Sequence, residues 1–392
     1  MRRFTSGNRI QLLRNGTEYF PALETEIRAA SQEIFLECYI FAADHTGAKI
    51  AGALCEAAQR GVATHVMVDG WGAKKYLTHA LVQQMCDAGI EFQRYRPSVS
   101  PWHFRPRRLR RLHRKLVCID ERIAFIGGIN IIDDMNTPRQ KPPRIDFACR
   151  VEGPVVSEVA QTMKHLAALI RFARMLDVGD NLFPAAPPAV KVGHQSAKLV
   201  LRDNLRYRHE IEQAYLSAIH AARSEILIAN AYFLPGRRFR QALIDAARRG
   251  VRVMLLLQGR VEYALLRYAS RALYGQLLAA GVDIREHSRG FLHAKVAVID
   301  SRWATVGSSN IDPFSLMMSR EANIVVRNPA FADELRREIL DIAEQGSRRV
   351  EPGDWRNRAP WEKGGVWMVY GFVRMMQGVM GYGSETRIRI GE

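Results

Sequence analysis

Short apolar runs alternate with segments of helical period along the chain, and the same alternation occurs twice. In the first half "SQEIFLECYIF" leads into "GAKIAGALCEAAQRGVATHVMVDG". In the second half "RSEILIANAYFL" leads into "GRRFRQALIDAARRGVRVMLLLQG". Both read strand, loop, helix, strand. The runs rich in Ile, Leu and Val are too short for helices and fit buried strands. The segments 48–60 and 238–249 keep Ala, Leu and Ile at helical spacing. Each stops at a glycine, Gly61 and Gly250, as a helix C-terminus commonly does. Strands are predicted at 64–68 and 251–257. A helix that stops at glycine and a further strand then follow in each half, in "LVQQMCDAGIEFQRY" and "LYGQLLAAGVDIREH".

Each half closes on one signature, "LHRKLVCIDERIAFIGGINI" from Leu112 and "LHAKVAVIDSRWATVGSSNI" from Leu292. Strands alternating with helices imply an α/β layered fold, here duplicated. The stretch 178–192 contains Pro184, Pro187 and Pro188 and reads as a linker. The expected organisation is a first repeat over 1–177, a linker over 178–192 and a second repeat over 193–346. A polar linker and an amphipathic C-terminal segment occupy 347–392.

The repeated signature carries His-x-Lys-x4-Asp, as His113, Lys115, Asp120 and again as His293, Lys295, Asp300. A His and a Lys two apart in a strand share a face. The apolar runs 116–119 and 296–299 read as buried strand. Asp120-Glu121-Arg122 and Asp300-Ser301-Arg302 read as hairpin turns into return strands at 123–126 and 304–306. Gly127-Gly128 with Asn130, and Gly307-Ser308 with Asn310, follow at points where backbone or ligand can approach closely. One such cluster alone reads as a satisfied core or surface histidine and a turn-forming aspartate. Two copies in matching context mark chemistry.

Composition then narrows the partners. The 392 residues are 47% apolar and 25% charged, which excludes a disordered chain and a small disulfide scaffold. At about 150 residues per domain the length fits two or three domains. Fifty-seven Lys+Arg against forty Asp+Glu leave a net charge of +17, and the isoelectric point is about 10.0. Such a surplus favours polyanionic partners, whether nucleic acid, an anionic membrane or phosphate-bearing substrates. Cys38, Cys55, Cys86, Cys118 and Cys149 form no C-x-x-C pair, so reduced thiols are expected rather than disulfides or a thiolate zinc site. The basic stretch Met1–Asn8 has no apolar run behind it, so neither a signal peptide nor an N-terminal anchor is expected.

The paired motif resembles the signature of the phospholipase D superfamily, across both repeats. That resemblance implies two tandem α/β/α mixed-sheet domains related by a pseudo-twofold, with one active site shared at their interface. It implies a catalytic set of His113, Lys115, Asp120, His293, Lys295 and Asp300. One imidazole attacks phosphorus and forms a phosphohistidine; the other gives a proton to the leaving alcohol and takes one from the incoming alcohol. Family analogy gives the attack to His113 and the proton transfer to His293. Lys115 and Lys295 offset the charge of the non-bridging oxygens. They leave no task for a metal, and no cofactor is expected. Asn130 and Asn310 hydrogen-bond the phosphate or hold its loop. A carboxylate about thirty residues downstream orients each histidine in the family. On that separation Asp146 belongs to His113 and Glu321 to His293. Asp120 and Asp300 fix loop structure rather than move protons.

Two further segments bear on substrate. "WHFRPRRLRRLHRK" places Arg105, Arg107, Arg108, Arg110 and Arg111 directly before the first motif, with no counterpart in the second half. Such a run at a site mouth recruits anions, lipid headgroups or nucleic-acid backbone alike. "WEKGGVWMVYGFVRMMQGVMGYG", projected as a helix, sets Phe372, Val373 and Met376 on a broad apolar face and Trp367 on its polar, aromatic edge. Arg374 interrupts it, so lying in the membrane interface is expected rather than spanning. Element order, length and this tail resemble bacterial cardiolipin synthases that lack N-terminal transmembrane helices. The resemblance implies transfer of a phosphatidyl group from phosphatidylglycerol to a second lipid alcohol, phosphatidylglycerol or phosphatidylethanolamine. It implies a peripheral enzyme on the cytoplasmic face of the bacterial inner membrane, with anionic phospholipid and not nucleic acid as partner. The alternatives are a metal-independent nuclease or phosphodiesterase, or a hydrolytic phospholipase D.

Overall fold

A computed structural model describes residues 2–96, 110–137, 140–173, 190–203, 207–260, 264–312 and 319–353, together with Met368, Gly371 and Met375. The first half contributes β1 (Thr5–Arg14), β2 (Glu33–Cys38), β3 (Ala63–Asp69), β4 (Glu91–Tyr95) and β5 (Arg111–Leu112). It continues with β6 (Lys115–Ile119), β7 (Ile123–Gly127), β8 (Arg144–Ile145) and β9 (Phe147–Glu152). The second half contributes β10 (Gln195–Arg202), β11 (Glu225–Asn230), β12 (Arg252–Gln258), β13 (Asp283–His287) and β14 (Phe291–Leu292). After these come β15 (Lys295–Ile299), β16 (Trp303–Gly307), β17 (Ser319–Arg327) and β18 (Ser347–Arg349).

The main sheet runs β18-β13-β12-β11-β15-β16-β17-β10-β1-β9-β7-β6-β2-β3-β4. Read outward from the central β1–β10 pair, the two sides repeat the same order, strand for strand, to β4 and β13. The expected duplication is therefore present as a continuous mixed sheet. β2 and β3 are parallel, as are β11 and β12, and the motif strands β6 and β15 run antiparallel to β2 and β11. Helices His45–Gln59 and Arg237–Arg248 end just before Gly61 (φ 91°) and Gly250 (φ 86°), as the glycine stops predicted. Asp120 and Glu121, like Asp300 and Ser301, take left-handed φ near 50°, the paired conformation of a tight two-residue hairpin turn.

Alternation along the buried strands divides the core into layers. Leu116, Cys118, Ala124 and Ile126 face an inner layer, where they meet Val296, Val298, Ala304 and Val306 of the other half. Their neighbours Val117, Ile119, Ile123 and Phe125 face the first half's outer helices, and Ala297 and Ile299 face the second half's. Both faces are covered, which explains runs that are apolar at every position. Helices Val155–Ala173 and Pro329–Gly346 complete the inner layer and pack across the midline, on β10 and on β1 respectively. The halves are thus joined by sheet pairing, by face-to-face packing of β7 and β9 on β16 and β17, and by these two helices.

The expected boundary at 346 differs from the fold. Ser347–Arg349, assigned to a polar linker, pairs with β13 as an edge strand, and Val350 is buried against the second half's core. Residues 178–189 of the expected linker lie outside the described residues. Among described residues no helix is long and apolar enough to cross a membrane. Arg105, Arg107, Arg108, Trp367, Phe372, Val373 and Met376 lie outside the described residues. Met368 and Met375 are helical and exposed.

Candidate active site

Each motif is delivered by a strand that crosses to the opposite half. β5 pairs in parallel with the start of β17, and the His113 amide donates to the Arg320 carbonyl at 3.0 Å. β14 pairs in parallel with β8, and the His293 amide donates to the Ile145 carbonyl at 2.8 Å. The motif strands then return to their own halves as β6 and β15. This exchange brings both histidines and both lysines to one place at the interface.

The exchange also corrects the orienting carboxylates. Separation along the chain pairs Asp146 with His113 and Glu321 with His293; the fold does the reverse. His113 Nδ1 donates to Glu321 Oε2 at 3.1 Å, and His293 Nδ1 donates to Asp146 Oδ2 at 2.6 Å. A half that supplies a histidine receives its carboxylate from the other. The reason is local: Glu321 follows Arg320 and Asp146 follows Ile145, the two residues whose carbonyls hold the histidine amides. A ring whose Nδ1–H is fixed by a carboxylate presents a bare Nε2, the tautomer that nucleophilic attack requires.

The cluster is deeply buried. Lys295 and Glu321 are 0% exposed, and Asp146 is 1% exposed. Lys115 donates to the His113 carbonyl at 2.6 Å, and Lys295 lies 3.4 Å from Asp146 Oδ2. Burial pushes the Lys115 ammonium down to about 7, with the charge of Lys295 adding to the effect, and pushes Lys295 down to about 8, with Arg144 adding to it. Burial likewise lowers His113, and takes His293 to about 3 with Lys295 adding to the effect. Burial opposes ionisation of Asp146, but Lys295 and His293 outweigh it and hold the carboxyl below its ordinary range. Two buried cations facing two neutral imidazoles form a receptor for an anion.

Asp120 and Asp300 sit at the far ends of β6 and β15 from the histidines. Asp120 accepts backbone N–H bonds from Ser31, Gln32 and Glu33, and Asp300 from Arg223, Ser224 and Glu225. They staple each hairpin to the strand beside it, as loop-fixing residues. Asn130 holds a loop through the Ile40 amide at 3.1 Å. Asn310 is buried, and its Oδ1 has no hydrogen-bond partner among the described residues. The small residues are required by packing. A Cβ on Gly128 would strike the Asp146 carboxylate, whereas its counterpart Ser308 donates its hydroxyl to Glu321.

Several neighbours carried no motif to announce them. Tyr39 lies 4.8 Å from the His113 ring, with Lys115 Nζ 5.6 Å above its own ring. Gly72 packs on that tyrosine with no room for a side chain, and the adjoining Trp71 is 57% exposed. Asp69 and Gln258 end equivalent strands and do equivalent work. Each accepts the amide of the residue before a histidine, Leu112 at 2.8 Å and Leu292 at 2.9 Å. Arg144, buried beside Phe291, donates to the carbonyls of Asp133 and Asn136 and so pins the loop that leads to Asp146. Arg114, between the motif residues, forms a buried two-point ion pair with Glu37. The second half has Ala294 at that position.

The family model described as cardiolipin synthase, PLD-like domain, matches residues 23–140 and 215–342, one stretch in each half. Cardiolipin synthase B of Escherichia coli (strain K12) is 38% identical over 381 residues, covering 96% of this chain and 90% of that protein. Cardiolipin synthase A of Erwinia tasmaniensis is 30% identical over 365 residues, 91% of this chain and 73% of that one. Among solved structures, the phosphatidylserine synthase of Haemophilus influenzae Rd KW20 superimposes with a TM-score of 0.69 at 14% identity, over 95% of each chain. That last likeness is one of fold.

Proposed function

We infer the reaction from one premise: the chain belongs to the cardiolipin synthase family of phospholipase D-like proteins. It is an enzyme of the phosphatidyltransferase type, with cardiolipin synthase-type function. We propose that it moves a phosphatidyl group from phosphatidylglycerol to the glycerol hydroxyl of a second phosphatidylglycerol. The observation that carries this reading is the exchange of carboxylates. His113 on Glu321 and His293 on Asp146 make one site of two halves, with a histidine available on each side of a phosphate.

In the first step Nε2 of one histidine attacks phosphorus. A P–N bond forms, the P–O bond to the headgroup glycerol breaks, and the second histidine, which is protonated at Nε2 once the anion is bound, supplies that oxygen with a proton. In the second step the acceptor hydroxyl gives its proton to that imidazole while its oxygen attacks phosphorus, and the P–N bond breaks. The products are cardiolipin and glycerol. Lys115 and Lys295 lie against the non-bridging oxygens throughout. An anion in the site restores the charge that burial disfavours, so substrate binding itself completes the electrostatics. Asp146 and Glu321 hold each ring in one tautomer and stabilise the imidazolium that forms.

The enzyme works at a membrane surface, since both substrates are phospholipids. The exposed Trp71, one residue from the glycine packed on Tyr39, would enter the interface beside the site. The basic run before His113 and the C-terminal segment supply further attachment to anionic lipid on the cytoplasmic face. Stoichiometry tests the reaction. Two phosphatidylglycerols should disappear for each cardiolipin and each glycerol formed. Release of glycerol with phosphatidic acid, and no cardiolipin, would refute transfer.

A further inference from the structure

The approximate twofold sets equivalent positions around the two histidines, and they differ in charge: Arg144 lies on the His293 side where the other has Ser319, and a patch of arginines lies on the His113 side. Register places Tyr95 beside Asp69 and His287 beside Gln258, so Arg96 corresponds to Ser288. In the motif strands Arg111 corresponds to Phe291. Across from them Arg320, beside Leu112, corresponds to Ile145, beside Leu292. His113 therefore has three arginines at its side where His293 has serine, phenylalanine and isoleucine.

The three arginines are neighbours. Arg320 and Arg111 both act against the charge of Arg96, in addition to burial. Arg320 Nε donates to the Tyr95 hydroxyl at 3.3 Å, and the Arg96 guanidinium lies 5.3 Å from the centre of the Tyr95 ring. Arg111 Nη1 is 3.8 Å from Asp69. That carboxylate already accepts the amides of Leu112, Trp71 and Gly72, which leaves it little capacity for three cations. Nη1 of Arg96 is buried with no hydrogen-bond partner among the described residues. The stretches 92–119 and 313–320 contain no Asp or Glu, and Glu321, next to Arg320, is engaged by His113 and Ser308. Three guanidinium groups beside one carboxylate make a patch of net positive charge with a buried, unpartnered Arg96 nitrogen among the described residues, and guanidinium forks match phosphate oxygens two at a time.

We propose that Arg96, Arg111 and Arg320 form a subsite for a second phosphodiester, the one carried by the lipid that accepts the phosphatidyl group. The proposal rests on the phosphatidyl-transfer reading and adds to it the means of choosing the acceptor. Arg111 stands two residues from His113 along an extended strand, about 7 Å. The product has an O–C–C–C–O bridge between its two phosphorus atoms, a span of the same order. A neutral alcohol or water presents no second phosphate and gains nothing from the patch.

Competition between two acceptors in one reaction isolates the effect. Vesicles of phosphatidylglycerol are supplied with ethanol, and cardiolipin and phosphatidylethanol are measured together. Both products come from the same bound enzyme, so their ratio does not depend on how much protein reaches the membrane. The double variant Arg96→Gln/Arg320→Gln should lower the ratio of cardiolipin to phosphatidylethanol about tenfold, the effect of losing charge-assisted hydrogen bonds. Arg96→Lys/Arg320→Lys should recover part of it. Arg96→Gln alone, at a half-buried position, should shift the ratio the same way and keeps the test readable if the double variant does not fold. An unchanged ratio in the folded Gln variants overturns the subsite. Wild-type protein that forms neither lipid overturns phosphatidyl transfer instead.

Discussion

His113 Nδ1 lies 3.1 Å from Glu321 Oε2, although the two residues belong to opposite halves of the chain. The contact, with its mate between His293 and Asp146, ties catalysis to assembly of the halves. Neither repeat alone could hold its own histidine.

Glu321→Gln and Asp146→Asn keep the shape and remove the charge. A hydrogen bond to a charged partner is worth about 1.5–3 kcal/mol, so each change should slow turnover by roughly 10- to 100-fold. Steady-state rates on phosphatidylglycerol vesicles, read beside melting temperature, check this. Turnover near wild type in either variant would remove the carboxylates from the mechanism.

Lys115 and Lys295 give the site a pH dependence with a defined sign. Each lysine is charged below its own pKa, which burial has lowered to about 7 and about 8 in the empty site. An anion binds the charged form and raises both values. A non-cleavable phosphodiester analogue, whose own charge is constant above pH 4, should therefore bind more weakly as pH rises from 6 to 10. Binding near pH 8 should take up protons. Calorimetry in buffers of different ionisation enthalpy measures both. Affinity independent of pH would mean that the lysines do not contact the phosphate.

Asp120 and Asp300 are structural on this account, because their oxygens are occupied by backbone amides at the far end of the motif strands. Replacing either with Ala loses about 1–3 kcal/mol of satisfied hydrogen bonding. At about 2–4 °C per kcal/mol, the melting temperature should fall by several degrees. Turnover below the transition should stay within about threefold of wild type. A hundredfold loss of turnover in a protein of unaltered melting temperature would make them catalytic.

Family analogy gives the attack to His113, and trapping tests that order. With an aryl phosphodiester the leaving phenolate needs no proton, so His293→Ala should still form a phosphoprotein on quenching in alkaline denaturant, where the P–N bond survives, and His113→Ala should not. Phosphate found on His293 would reverse the roles.

We propose that the chain's basic run and C-terminal segment attach it to the membrane. Replacing Arg107, Arg108 and Arg110 together should weaken binding to anionic vesicles, most at low salt where charge is least screened. Deleting 361–392 should abolish recruitment, and Trp71→Ala should reduce it. Cosedimentation with vesicles reads all three. Full binding by the deleted protein would remove the tail from the account.

How much was legible in the sequence depended on how local the signal was. Glycine stops, strand runs and the Asp-led hairpins at Asp120 and Asp300 are short-range features, and the duplication showed them twice. The paired motif identified the chemistry for the same reason. The partner of each histidine was not legible, because separation along the chain carries no information about which half a strand end crosses into. The crossings are set by the two-residue pairings of β5 with β17 and β8 with β14, too short to read from pattern. Tyr39, Asp69 and Gln258 were also silent. Each is an ordinary residue at the end of a strand whose role comes from what the fold sets beside it. Ser347–Arg349 read as polar linker because an edge strand has one side to solvent and lacks an apolar run.

The most direct test puts purified protein on phosphatidylglycerol vesicles in excess chelator and scores the lipids by mass spectrometry, with His113→Ala and His293→Ala run in parallel. Cardiolipin formed by the wild type and by neither variant is the predicted result. Phosphatidic acid in its place, or cardiolipin from either variant at the wild-type rate, would contradict a two-histidine phosphatidyl transfer.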